Sequence, residues 1–171
     1  MSDSGAPASL PAASTALARG VRRGEFVAAA ALLAQYLLGM VDNLFVTIPD
    51  QHPGAKAGEY FGGVAAGIGW ALSDGGPWLA LHAGLGLALV VVGIGLVVQT
   101  ARMGDRRHLV LTAVAALFIL GAGFNGASFI NYGLDVSSLI MAILWALAMA
   151  CYLLLLYLPG PGQTRPARRR N

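Results

Sequence analysis

The chain has 171 residues, of which 57% are hydrophobic and 11% charged, with a mean hydropathy of +0.68. A soluble domain carries about 25% charged residues, so this chain has too little polar surface to cover itself in water, and a lipid bilayer is its expected solvent. The lone cysteine, Cys151, excludes an intrachain disulfide and any multi-cysteine metal or iron–sulfur site; the net charge of +3 is explained by topology below and gives no reason to expect nucleic acid.

Residues 1–24 form the first segment. Its Ala/Ser/Pro-rich stretch to about Arg19 lacks apolar periodicity and reads as a disordered cytoplasmic tail. It does not read as a secretory signal, because Asp3 stands where a basic region belongs and the apolar run that follows is too long. Four such runs make up a membrane domain over residues 25–158. They cover residues 26–48, 78–100, 109–131 and 136–158, each close to the ~20 residues that cross ~30 Å of hydrocarbon. Hydrocarbon offers backbone amides no partner, so each run should be a helix. Residues 159–171 follow as a basic cytoplasmic tail. The loop between the first two spans, residues 50–77, holds an apolar stretch at 60–72 that is too short to cross. An interfacial or re-entrant helix is expected there.

Charge placement orders these elements. Arg19, Arg22 and Arg23 precede the first span, Arg102, Arg106 and Arg107 lie between the second and third, and Arg165, Arg168, Arg169 and Arg170 follow the fourth. With four spans every arginine falls on one side, which the positive-inside rule makes cytoplasmic. A fifth span at 60–72 would put the last cluster outside. The fold class is therefore all-α: a four-helix transmembrane bundle, N-in and C-in, with a short helix in the first external loop. The near-exclusive use of Arg over Lys, with abundant Ala and Gly, points to a bacterial genome of high GC content and so to the cytoplasmic (inner) membrane.

This topology places Asp42, Asn43, His82, Asn125, Ser137, Ser138 and Met141 at similar depth near the outer face. Helical spacing also aligns stripes: Gln35, Gly39, Asp42 and Val46; Trp78, His82, Gly86 and Gly93; Gly121, Asn125 and Ser128; Ser138, Met141, Trp145, Ala148 and Tyr152. Polar groups are costly against lipid, so these stripes should face the interior. The plain reading makes Asn43, Asn125 and the serines interhelical hydrogen-bonding glue and the glycines packing residues. Trp78, Tyr60 and Tyr132 read as interface anchors, and His52 and His108 as solvated helix-end residues. Asp42 and His82 stand apart, because ionisable groups within hydrocarbon are functional candidates; their alternative is a structural hydrogen-bonded pair.

The arrangement resembles one four-helix half of the haem A synthase family. The residues that carry the resemblance are Leu81-His82-Ala83-Gly84-Leu85-Gly86. The resemblance implies a haem held between the outer ends of the second and fourth helices, with His82 as one axial ligand. The second position departs, since Leu139-Ile140-Met141 offers Met141 in place of histidine; haem iron does take His/Met ligation. The family's loop cysteines and its second half have no counterpart in this chain. Three expectations stay open: a b-type haem held by His82 and Met141, with Asp42 or Asn125 orienting the imidazole; a non-catalytic accessory or assembly subunit partnered by other membrane subunits; and a small transporter or proton-conducting unit using Asp42 and His82. No complete catalytic set is visible, so enzymatic activity is not expected.

Overall fold

The structure is a computed structural model and describes residues 10–160. These form five helices in chain order: α1 Leu10–Phe45, α2 Tyr60–Ser73, α3 Gly76–Met103, α4 Arg106–Tyr132 and α5 Asp135–Tyr157. Four of them, all but α2, are long and apolar enough to cross a membrane. Their outward faces carry large apolar side chains such as Phe26, Phe45, Val91 and Leu117, all more than 60% exposed. Such faces are suited to lipid.

The first segment differs from the expectation of a disordered stretch to Arg19. Helix α1 starts at Leu10, and residues 1–9 lie outside the described residues. Pro11 falls in the first turn, where a missing N–H costs nothing, and the Ala, Leu and Arg residues beyond it are strong helix formers. Composition that reads as disorder by its lack of an apolar stripe is thus also composition that propagates a helix. At about 54 Å, α1 outruns the hydrocarbon. Its other end stops at Phe45, short of the predicted 48. Val46, Thr47 and Ile48 are β-branched and precede Pro49, which disfavours helical backbone in the residue before it. Of the basic tail, residues 161–171 lie outside the described residues.

Helix α2 occupies the predicted stretch. Glu59 caps it, its carboxylate accepting from the N–H groups of Phe61 (2.9 Å) and Gly62. Fourteen residues give about 21 Å of helix, too little to cross. Gly63, Val64, Gly67 and Ala71 are its buried face, packed on α3 and α4. The loop before it is tied to the end of α4. Lys56 N–H donates to Asn131 O at 2.9 Å, and the Tyr132 hydroxyl donates to Ala57 O at 3.1 Å. His52, expected to be solvated, instead stacks on Trp70 with centroids 4.4 Å apart and meets Ile130 O through Nε2 at 3.2 Å.

The four long helices pack in the ring α1–α3–α4–α5, which α5 closes on α1; α1 and α4 stand diagonally, as do α3 and α5. Gly24 against Leu96 and Gly39 against His82 fix α1 and α3 as antiparallel. Gly93 against Ala116 does the same for α3 and α4, and Gly121 against Leu144 with Gly126 against Met141 for α4 and α5. Arg19, Arg22, Arg23, Arg102, Arg106 and Arg107 therefore gather at one end. The fully buried apolar cluster lies in the middle and toward that arginine-bearing end: Ala28, Ala29, Leu32, Leu89, Leu96, Ala115, Ile119, Ala148, Cys151, Tyr152 and Leu155.

Candidate functional site

His82 lies in the seam between α1 and α3. Its ring lies against Gly39, where a Cβ would stand 3.0 Å from Cε1 and 3.5 Å from Nδ1. One turn on along α1, Asp42 Oδ2 lies 3.5 Å from His82 Nδ1, and both side chains are mostly buried, at 13% and 20% exposure. One turn back, Gln35 Nε2 donates to the His82 carbonyl at 3.0 Å. Gln35, Gly39 and Asp42 thus form a continuous stripe that meets one residue of α3 at its backbone carbonyl, at ring atom Cε1 and at ring nitrogen Nδ1. At 3.5 Å the acid–imidazole contact is an ion-pair distance, longer than a good hydrogen bond.

The other residues singled out in the sequence go to different places. Met141 belongs to the opposite seam, its sulfur set against Gly126 of α4. The register that puts Gly93 against Ala116 carries His82, three turns nearer the start of α3, level with Gly126 and Ala127. His82 and Met141 therefore share a level while facing different neighbours. Asn43 is exposed and takes no part in an interior layer. It follows Asp42 directly, and successive helix residues are 100° apart, so one facing α3 turns the next away. Asn125 is half-buried, but its amide donates back to Gly121 O on its own helix at 2.9 Å, so in place of interhelical glue it makes an i→i−4 bond. Ser128 does likewise to Phe124 O at 3.0 Å, and meets the Tyr60 hydroxyl of α2 at 2.9 Å. Ser137 is buried and Ser138 half-buried.

Most side chains near the level of His82 are half-buried, although Ala127 at that level is buried. Leu38, Gly39, Leu85, Phe124, Asn125, Met141 and Leu144 are each half-buried. The space expected at two glycines is already used: Gly86 takes the Gln35 amide and Gly121 takes Leu144. Gly84 has its nearest neighbour, Leu72, at 3.9 Å from a would-be Cβ. The glycines are sockets for neighbouring side chains, the expected route to close helix approach.

The arginine-bearing half holds buried polar residues, of which sequence reasoning passed over Glu25, placed Tyr152 on an inward stripe and took His108 as solvated. Glu25 and Tyr152 are 0% exposed and His108 2%. Glu25 lies one residue before the predicted start of the first span. Its signal was the Gln35–Asp42 stripe itself, which runs back at helical spacing through Leu32 and Ala28 to Glu25. His108, expected to be solvated, falls inside the first turn of α4 because that helix starts at Arg106. Its Nδ1 lies 3.3 Å from Asp105 Oδ2.

Comparison with protein-family models, curated proteins and solved structures yields no match.

Proposed function

We propose that this chain is a multi-pass protein of a bacterial cytoplasmic membrane that holds a b-type haem through His82, near the outer face. The observation that carries the reading is the Asp42–His82 contact at 3.5 Å between two apolar helices. A carboxylate on one imidazole nitrogen fixes the tautomer and leaves the other free to ligate metal, an arrangement that recurs among metal-binding histidines. Asp42 at 3.5 Å is placed to close on Nδ1 as such a hydrogen bond, and an imidazole oriented that way within hydrocarbon has the chemistry of an axial ligand.

Two features of the surroundings favour a bulky ligand at this level. Leu85, Phe124 and Met141 are half-buried, whereas Leu32 and Ala148 are buried, with Trp145 and Met149 partly buried beside them. Met141 stands at the same level across the bundle and is the second ligand of the proposal. Leu85 and Phe124 supply apolar walls, and Leu144 and Gln35, which fill Gly121 and Gly86, would move aside. Haem bound here supplies one-electron chemistry; the protein residues bind the iron, orient the imidazole and exclude water. The arginines at one end orient the chain, N-in and C-in by the positive-inside rule.

The test is the absorbance spectrum of protein purified in detergent, with and without added haem. A Soret band that disappears in His82→Ala and persists in Met141→His with a lower reduction potential supports the site. Haem binding that survives His82→Ala overturns it. Well-folded protein that stays colourless after reconstitution and co-purifies with other membrane subunits favours an accessory role.

A further inference from the structure

A second buried polar site lies in the arginine-bearing half, about 25 Å along α1 from Asp42. Both carboxylate oxygens of Glu25 are shut off from the surface and have no hydrogen-bond partner among the described residues. Arg22, one turn earlier on the same helix, is the natural counter-ion. Its guanidinium is engaged elsewhere: Nη1 donates to Leu155 O at 3.1 Å and to Leu158 O at 2.8 Å, and Nη2 to Leu156 O at 2.6 Å. Those are the unsatisfied carbonyls at the end of α5. The same contacts, with Trp145 Nε1 donating to Leu32 O at 2.7 Å, fix α1 and α5 as antiparallel and bring Glu25 level with Tyr152. The Tyr152 hydroxyl is likewise buried without a partner, and lies within electrostatic reach of the Glu25 carboxyl.

The groups around this carboxyl are few. Arg22 is on its own helix, and Cys151 and Tyr152 come from α5. The near face of α3 brings Leu96 and, a turn on, Thr100, whose hydroxyl donates to Leu96 O at 2.9 Å and Val97 O at 3.0 Å. From α4, across the bundle, the buried groups toward this end are Thr112, bonded to His108 O at 2.7 Å, and His108 beside Asp105. Among the described residues no cationic group donates to Glu25.

We propose that Glu25 and Tyr152 form a proton-binding site. A bare carboxylate in an apolar interior is far costlier than a neutral acid. Uptake of H⁺ from hydronium forms one O–H bond on Glu25, releases water and removes the buried charge. The resulting acid has one donor and one free acceptor oxygen, and the Tyr152 hydroxyl, buried at the same level and itself without a hydrogen-bond partner among the described residues, is the group that can move in to serve both. The proton comes from the arginine-bearing face, because the apolar cluster from Ala28 to Leu32 separates Glu25 from Gln35 and Asp42.

The experiment is infrared spectroscopy of the full chain in lipid nanodiscs at neutral pH. The expected result is the carbonyl band of a protonated carboxylic acid that shifts in D₂O. It should be lost in Glu25→Gln, retained in Asp42→Asn and moved in frequency in Tyr152→Phe, a variant that keeps the packing should Glu25→Gln fold poorly. No such band at neutral pH, or a band indifferent to both Glu25→Gln and Tyr152→Phe, overturns the proposal. So does a melting temperature raised by sodium over choline in the native chain but not in Glu25→Gln, which would make the site one for a metal cation. Neither outcome depends on haem, so the site at His82 stands or falls separately.

Discussion

The guanidinium of Arg22 meets three carbonyls at the end of α5, and among the described residues no carboxylate forms a hydrogen bond with it. Each charged hydrogen bond of this kind contributes about 1.5–3 kcal/mol, and the fork geometry suits Arg better than Lys. Arg22→Met should therefore destabilise the protein by about 3 kcal/mol, and Arg22→Lys should restore only part of that, read from thermal unfolding in detergent. Asn125 makes the opposite case. Its amide serves a carbonyl of its own helix, one already bonded within the helix ladder. Asn125→Leu should cost less than about 0.5 kcal/mol by the same measurement; a loss above 2 kcal/mol would show that Asn125 has an interhelical partner. Sequence spacing could place Asn125 on the inner face but could not show where its amide points, because on-helix and cross-helix bonding share one periodicity.

At the scale of elements, α2 owes its seat to two glycines one turn apart. A Cβ on Gly67 would overlap the Asn131 side chain, and one on Gly63 would meet Ala57 Cβ at 2.6 Å. Asn131 is buried with its backbone held by Lys56 N–H, so close packing leaves its side chain little room to yield even though the amide has no hydrogen-bond partner among the described residues. Gly67→Ala should cost about 1–3 kcal/mol by overpacking and loosen α2. A cysteine placed at Ala71, buried at 0%, should then become reactive to a water-soluble maleimide in a background where Cys151 is Ala. Unchanged protection would show that α4 adjusts instead. Helix α1 extends well beyond its apolar run, but the apolar character of all five elements and the approximate lengths of α2 to α5 were legible, because lipid as solvent forces long uninterrupted runs. Helix ends were less so. Arg22, Arg23 and Glu25 read together as a charged flank, yet the helix continues through them and turns Glu25 inward. At the other end, Asn43 lay at the depth of Asp42 and was placed in the same layer, although the 100° step between consecutive residues turns it away from α3 to an exposed face.

For the whole molecule, six arginines gathered at one end of four antiparallel helices make orientation a matter of which side holds them. Reporters fused after Arg107 and after Asn171 should read cytoplasmic, and one within the loop at residues 50–59 external. A C-terminal reporter active outside would require α2 to cross, which its length opposes. The same antiparallel order separates the two buried acids. Asp42 and His82 lie toward the end bearing α2, Glu25 and Tyr152 toward the arginines, with closely packed aliphatic residues between them. Sequence reasoning found the first pair because it lay inside a predicted span, and missed the second because one of its members lay a residue outside.

Closure of the ring by α5 on α1 also sets an order of assembly. Helix α1 leaves the ribosome first, yet the carbonyls that Arg22 serves and the tyrosine beside Glu25 belong to the last helix made. Until α5 is synthesised, α1 carries a carboxyl and a guanidinium with no settled place in the membrane. A nascent chain ending at Tyr132 would expose that flank to the machinery that clears unassembled membrane segments. Completion of the final helix thus acts as a checkpoint on biogenesis, and a chain truncated before α5 should be short-lived in cells even though three of its four spanning helices are intact.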